Sequence, residues 1–161
     1  GFPGLPLAIA FPRWQVTLLE ATEKKVGFQR EAASELGLAN VSPQAGRSEE
    51  VARDPCLRGQ FDVVTARAVA ALPTLLEYCC PFAAEGGQVI AWKQGDVTEE
   101  LRVGRRAALL LGAELRQPLP VTLPQLPAGR CIVAARQMRP CPEGYPRAGG
   151  APRKKPLGMS R

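Results

Sequence analysis

Two features near the start of the chain have the residue types and the spacing of a nucleotide-binding loop. The chain opens on the run Gly-Phe-Pro-Gly, Gly1 to Gly4, and glycine lets a ligand approach the backbone closely. A strand-like run at Gln15–Leu19 ends directly before Glu20. A carboxylate about 20 residues after a glycine loop, at a strand's carboxyl end, can accept hydrogen bonds from ribose hydroxyls. The alternative is an ordinary turn followed by a solvated loop acid.

Two later junctions carry further candidates. Ser48 and Glu49 begin a short helix after the strand at Val41–Ala45, where acidic residues are also favoured simply by the helix dipole. Arg67 follows the apolar strand Gln60–Ala66. Its planar guanidinium could bind a carboxylate, a base or a phosphate, and the alternative is a surface arginine.

The chain contains no histidine, which removes the commonest general base and most catalytic zinc sites. Five cysteines occur, without a C-x-x-C pair, and we expect reduced thiols rather than disulfides or zinc ligands. We therefore assign no catalytic acid or base and no metal site. A reaction carried out here should need little proton transfer by the protein.

The net charge of +6 is unevenly distributed. Residues 1–129 carry 13 basic and 14 acidic side chains, whereas residues 130–161 carry 8 basic side chains and one acid, Glu143. Such an excess indicates a polyanionic partner, because each neutralised phosphate releases counterions. The alternative is a solvated tail that binds nothing. The candidate contacts in the tail are Arg147, Arg153, Lys154 and Lys155.

Strands and helices alternate along the chain, which predicts an α/β domain with a mainly parallel sheet and helices on both faces. Two late strands, around Ala113–Thr122 and Arg130–Ala135, are antiparallel candidates joined by a loop at 123–129. We place the domain at residues 1–138. Residues 139–161, rich in Pro, Gly and basic residues, are predicted to be an extended or disordered tail. The predicted helices lie at Pro3–Phe11, Glu23–Leu36, from Ser48, at Leu72–Ala84 with an interruption at Pro81, and from Asp96 to Leu111; a further strand is predicted at Gln88–Lys93.

No apolar run approaches the roughly 18 residues of a membrane span, and no signal peptide is visible. These observations predict a cytoplasmic protein without a membrane partner. We expect it to be a monomer.

Taken together, these segments resemble one family, the bacterial small-subunit (16S) ribosomal RNA guanine-N7 methyltransferases, also called the glucose-inhibited division protein B family. The matching segments run in family order across nearly the whole chain. They read GFPGLPLAIAFP, VTLLEATEKKVGFQREAASELGL, GRSEE, FDVVTARAVAALPTLLEYCCPF, GGQVIAWKQG and YPRAGGAPRKKPL. The ARAVA segment and the basic tail are the specific ones, since many folds share the glycine loop.

The resemblance implies a Rossmann-like class I fold and S-adenosyl-L-methionine as cofactor. It also implies that the methyl acceptor is a guanine of 16S rRNA, either in the RNA itself or in a precursor of the small ribosomal subunit. By matching position, Gly1 and Phe2 would lie beside the cofactor. Glu20, Ala21 and Thr22 would border its ribose, and Ser48 and Glu49 would flank the adenine. Arg67 would lie near the face where the methyl group is transferred.

The largest departure from the family is at the front. Family members carry a helical region and a first strand ending in D-x-G-x-G-x-G, of which only the last glycine matches, as Gly1. We therefore expect this central strand and the helical region to be missing, and the chain to be inactive or impaired. The alternatives are a non-catalytic RNA-binding remnant and a small-molecule methyltransferase.

Guanine N7 chemistry suits a chain without histidine. N7 carries an in-plane lone pair and no proton, so it can attack a sulfonium methyl group without a base acting first. The contribution of the protein would be positioning and electrostatics.

Overall fold

The computed structural model describes residues 1–125 and 128–159. The chain forms two compact units, Gly1–Val51 and Ala52–Arg161. No helix in the described ranges is long and apolar enough to cross a bilayer.

The first unit contains a two-stranded parallel sheet with helices. The register pairs Val16 with Val41 and Glu20 with Ala45, so both strands end at the same edge. The unit's small core contains Leu5, Leu18 and Ala33. Its elements are α1 (Gly4–Ala10), β1 (Val16–Glu20), α2 (Glu23–Glu35), β2 (Val41–Ala45) and α3 (Ser48–Val51).

The second unit contains a five-stranded mixed sheet. Its strand order is β3-β4-β7-β5, with β6 also paired to β7. Strands β3 and β4 are parallel, whereas β7 is antiparallel to β4, β5 and β6. The elements are β3 (Phe61–Arg67), α4 (Leu72–Cys79), a 3-10 turn (Cys80–Phe82), β4 (Ala83–Gln94), α5 (Thr98–Leu110), β5 (Ala113–Leu115), β6 (Leu119–Val121), β7 (Arg130–Gln137) and α6 (Ala151–Lys154).

The core of the second unit lies between α4, α5 and one face of this sheet. Alternate residues of β3, β4 and β7 point into it, as the two-residue period of a strand requires. All residues of α4 are buried, which explains why its sequence is apolar apart from Thr74 and Glu77. The largest fully buried side chains of the cluster are Leu72, Leu75, Leu76, Leu111, Val89 and Val133.

The predicted order of elements is confirmed up to β7, but α4 is shorter than predicted, the first late strand is divided, and the tail contains a short helix, α6. The sequence predicts a helix over Leu72–Ala84 with an interruption at Pro81. The helix ends at Cys79, before that proline, and it does not resume, because β4 begins at Ala83. Pro81 has no N–H to continue the helical hydrogen bonds and its ring crowds the preceding turn. The strand is therefore longer at its start than the predicted Gln88–Lys93.

The two late strands are antiparallel, as predicted. The first is divided into β5 and β6, with Pro118 between them. The predicted loop at 123–129 includes Leu126 and Pro127, which lie outside the described residues.

The expectation of an extended or disordered tail is wrong for residues 139–159. Cys141, Pro146, Pro152 and Leu157 are buried in the second unit. Arg58 binds the segment through its guanidinium, which donates to the carbonyls of Tyr145 at 2.9 Å, Cys141 at 2.9 Å and Pro142 at 2.9 Å. The sequence is typical of disorder because its few apolar residues are far apart, yet several of them pack into the core of the second unit.

Each sheet has an edge without a strand partner among the described residues. Strand β1 pairs with β2, and β3 pairs with β4, and neither has a second partner there. The expectation that the central strand of the family is missing from this chain stays a prediction.

Candidate functional site

The first group of candidate residues gathers at the carboxyl edge of the two-stranded sheet. Glu20 is the last residue of β1, and its carbonyl accepts a hydrogen bond from the N–H of Gly46 at 3.0 Å. Gly46 turns the chain from β2 towards α3 with a φ of 141°, and a side chain there would collide with Val51. This turn brings Ser48 to the same edge as Glu20, as the sequence predicts for parallel strands.

The Glu20 carboxylate is oriented by the residues that follow it. Its Oε1 accepts the backbone N–H of Thr22 at 3.0 Å, and its Oε2 lies 3.7 Å from Lys25 Nζ. Partial burial raises the pKa of Glu20, but the hydrogen bonds from Thr22 and the charge of Lys25 outweigh it, and the net pKa is lowered. The side chain is 24% exposed, so an ionised carboxylate remains accessible to a ligand.

The glycine run lies at the start of α1. Asn40 Nδ2 donates to the carbonyls of Ala8 at 3.2 Å and Trp14 at 2.9 Å, which fixes the end of α1 near the amino ends of both strands. The start of α1 therefore points towards their carboxyl ends. At Gly4 the helix packs so closely on Leu18 that a Cβ would collide with it.

The remaining candidates of the first unit differ in exposure. Phe2 is 71% exposed, whereas Ser48 and Glu49 are half-buried at the start of α3. Ala21 is exposed between β1 and α2. Thr22 lies at the N-cap position of α2, but its side chain makes no capping hydrogen bond.

Arg67 is the last residue of β3, and it is exposed. Its neighbour in the parallel register is Trp92, whose Nε1 donates to the Thr65 hydroxyl at 3.0 Å. The next residue, Ala68, has a φ of 55°, which is uncommon for a residue other than glycine. Arg67 therefore lies at a sharply turned strand end beside an aromatic side chain.

The basic tail does not present its four candidates equally. Arg147 Nε and Nη2 bind the Glu77 carboxylate at 2.8 and 2.7 Å, so its guanidinium is already occupied. Arg153, Lys154 and Lys155 are exposed on and next to α6.

Sequence reasoning missed two side chains, Glu77 and Lys93, that turn out to organise the second unit. Glu77 is an acid inside the otherwise apolar run of α4, and a fully buried acid needs a partner. That signal was present in the sequence. Lys93 directly follows a buried strand segment and pairs with Glu100, but the 7-residue separation gives no warning of it.

The fold resembles solved methyltransferase structures. A 16S rRNA (adenine-N1)-methyltransferase from Catenulisporales acidiphilia aligns with a TM-score of 0.68 at 15% identity, over 86% of this chain and 80% of that one. A predicted O-methyltransferase from Agrobacterium tumefaciens aligns with a TM-score of 0.60 at 18% identity, over 82% and 66%. The chain therefore has the class I methyltransferase fold, and the predicted fold class is confirmed.

The family follows from sequence comparison. The model of the family described as rRNA small subunit methyltransferase G matches residues 1–122. Proteins named ribosomal RNA small subunit methyltransferase G are 44% identical in Exiguobacterium sibiricum and 45% identical in Deinococcus radiodurans, each over 98% of this chain. The chain belongs to the rRNA small subunit methyltransferase G family. It spans 66% and 62% of the lengths of these two relatives, less than two thirds of each.

Proposed function

We propose that the protein methylates N7 of a guanine in 16S ribosomal RNA, with S-adenosyl-L-methionine as methyl donor. The observation that carries this proposal is the family match over residues 1–122, a range that includes every candidate cofactor-binding residue. The proposed setting is the cytoplasm. The acceptor would be the rRNA or a precursor of the small subunit, and the enzyme would act as a monomer.

The residues at the edge of the first unit fit a nucleoside. Glu20 is ionised and partly exposed, and it follows a strand end, so it could accept hydrogen bonds from ribose hydroxyls. Ala21 and Thr22 would border the ribose, and Ser48 and Glu49 the adenine. Gly1 and Phe2 would lie beside the cofactor, where the exposed Phe2 ring offers an apolar surface.

When bound, S-adenosyl-L-methionine supplies a methyl group on a positively charged sulfur. The guanine N7 needs no deprotonation, which fits a chain without histidine. The part of Arg67 would be to orient the cofactor or the guanine through its planar guanidinium. Holding two reactants in line can lower a barrier by roughly 7–11 kcal/mol. We therefore assign no general acid or base.

The tail would contribute contacts to rRNA phosphates. Lys154 and Lys155 are exposed cations next to the turn of α6, and Arg153 lies beside them. Arg147 is among the predicted RNA contacts, but its guanidinium is bound to the carboxylate of Glu77. Its contribution to RNA binding would be indirect.

The test is methyl transfer from labelled S-adenosyl-L-methionine to 16S rRNA, both as naked RNA and in small-subunit particles. Chemical cleavage at N7-methylguanine then shows whether a single guanine has reacted. Arg67→Ala should abolish or strongly reduce transfer, whereas Arg13→Ala, a change of the same kind on an exposed residue, is the control. Labelling of a small molecule instead of RNA would contradict the proposal. RNA binding without any transfer would indicate a non-catalytic RNA-binding protein.

A further inference from the structure

The loop between β3 and α4 has a backbone conformation that its own sequence does not favour. Ala68, directly after Arg67, has a φ of 55°, in the left-handed region. A residue other than glycine keeps such a conformation only where its surroundings fix it. Residues 68–71 are exposed or half-buried, so packing alone does not supply that constraint.

Two side chains bind the far end of this loop. Lys93 Nζ donates to the carbonyl of Ala70 at 3.0 Å. Glu100 pairs with Lys93, and its Oε2 also accepts the backbone N–H of Leu72 at 2.8 Å. Both side chains come from the rigid part of the second unit, since Lys93 lies in β4 and Glu100 in α5.

The near end of the loop is bound by the tail. Arg153 Nη2 donates to the carbonyl of Val69 at 3.3 Å. The residue before it, Pro152, is buried, and its carbonyl accepts the Thr74 hydroxyl at 2.8 Å. The start of α6 is therefore fixed against α4 within reach of the loop.

The tail in turn is attached to α4 by a buried ion pair. The Glu77 side chain has no exposure, and it accepts from Arg147 Nε, Nη2 and the backbone N–H. Arg147 Nη2 also donates to the Lys155 carbonyl at 2.8 Å, on the far side of α6. Arg147 thus binds both α4 and the end of the segment that carries Arg153.

We propose that the tail is a positioning element for the loop that follows Arg67, with Arg147 attaching the tail and Arg153 binding Val69. In this role neither arginine touches a substrate. The effect on methyl transfer rests on the proposed function, but the effect on the loop does not. Arg153 has been counted among the RNA contacts, and the two roles predict different measurements.

Amide hydrogen exchange of the whole chain tests the structural part. Arg153→Gln should make amides in residues 68–72 exchange faster, about three- to tenfold for the loss of one long, exposed hydrogen bond. Lys154→Gln removes a neighbouring cation of the same helix and should leave loop exchange unchanged. Arg116→Gln, an exposed substitution in the same unit, is the matched control.

A second variant tests the attachment. Arg147→Lys keeps the charge beside Glu77 but cannot form the two-pronged hydrogen bond, and it should speed exchange both in the tail and in residues 68–72. Where Arg147→Lys raises exchange throughout the protein, Arg153→Gln decides alone, since its side chain is exposed. Loop exchange equal to the wild type in Arg153→Gln overturns the proposal.

Kinetics distinguish positioning from RNA contact. In rate measurements over a range of rRNA concentrations, Arg153→Gln should lower kcat more than it raises the KM for RNA, whereas Lys154→Gln should mainly raise that KM. A change in KM alone for Arg153→Gln would make Arg153 an RNA contact and overturn the positioning role. Absence of methyl transfer by the wild-type chain would leave the exchange experiment unaffected, and that experiment alone would then judge the loop.

Discussion

Glu77 lies on α4, and its side chain is fully buried. Its carboxylate binds Arg147, 70 residues further along the chain, with an Oε2–Nη2 distance of 2.7 Å. The same carboxylate accepts the backbone N–H of Arg147 at 2.9 Å. An acid in an apolar helix and an arginine in a basic tail are therefore one structural unit.

Glu77→Gln should destabilise the protein by roughly 2–4 kcal/mol, because it leaves a partly buried arginine without its counter-charge. Chemical denaturation gives the free energy of unfolding. The matched control is Glu99→Gln, since Glu99 pairs with Arg102 at 2.6 Å but on the exposed surface of α5. The control should be close to wild type, because surface pairs contribute little. Equal losses in both variants would contradict a special role for the buried pair.

Two glycine-to-alanine substitutions should change stability in opposite directions. A Cβ at Gly87 would lie 2.9 Å from the carbonyl oxygens of Ala84 and Phe61, so Gly87→Ala should cost about 1–3 kcal/mol. Gly27 lies in α2 with open space around it, and Gly27→Ala should stabilise by about 0.5–1 kcal/mol through helix propensity. Thermal denaturation compares the two, and a stabilising Gly87→Ala would show that the strand start is not packed as described.

Four of the five free cysteines should divide by reactivity in the folded protein. Burial raises the pKa of Cys79 to about 12, and burial outweighs the nearby Arg58 charge to raise that of Cys141 to about 11. Burial also raises the pKa of Cys80 well above its usual range. At pH 8 a thiol reagent should modify the exposed Cys56 quickly and these three only after unfolding. Cys56→Ser should remove the fast phase, and fast modification of the buried thiols would contradict the packing of the tail.

The same thiols give a pH dependence of stability. Their folded pKa values lie above the ordinary 9.0, so their contribution is fully present below pH 9. As the pH rises from 9 towards 11 and 12, the unfolded chain loses thiol protons that the folded chain keeps, and the free energy of unfolding should fall. Denaturation at a series of pH values measures this slope. Replacing Cys79 by Ala should reduce it.

Glu20→Gln should weaken binding of S-adenosylhomocysteine, the product of the proposed reaction, by about tenfold, since a charged acceptor becomes neutral. The hydrogen bonds and the Lys25 charge that lower its pKa keep Glu20 ionised at neutral pH. Glu23→Gln, three residues further on at the start of α2, is the control and should bind normally. Calorimetric titration gives both affinities. Equal affinities would remove Glu20 from the site.

Lys154→Gln and Lys155→Gln should each reduce the salt dependence of rRNA binding, by about one unit of slope for each phosphate that is no longer neutralised. Filter binding at several salt concentrations measures the slope. Point substitutions are preferable to deletion of the tail, because Pro152 and Leu157 are part of the core. An unchanged slope in the double variant would exclude these two lysines from RNA binding.

The sequence alone determined the order of the elements, the candidate residues at the strand ends and the family. These depend on local signals. An apolar run marks β1, Thr22 and Gly37 mark the two ends of α2, the turn at Gly46 follows from its glycine, and Glu20 lies at the end of its strand. The carboxyl ends of parallel strands meet at one edge, so the nearness of Glu20 and Ser48 could also be predicted.

Only the tertiary structure decided that the tail is ordered and that it packs against α4. Its composition indicates disorder and RNA contact, and nothing near Arg147 in the sequence shows that its charge is bound to Glu77. The end of α4 likewise depended on Pro81 and the strand that follows. For the tail, the outcome rests on burial and on partners far apart in the chain, because a charge or an apolar side chain acquires its energy from what surrounds it, not from its own position in the sequence.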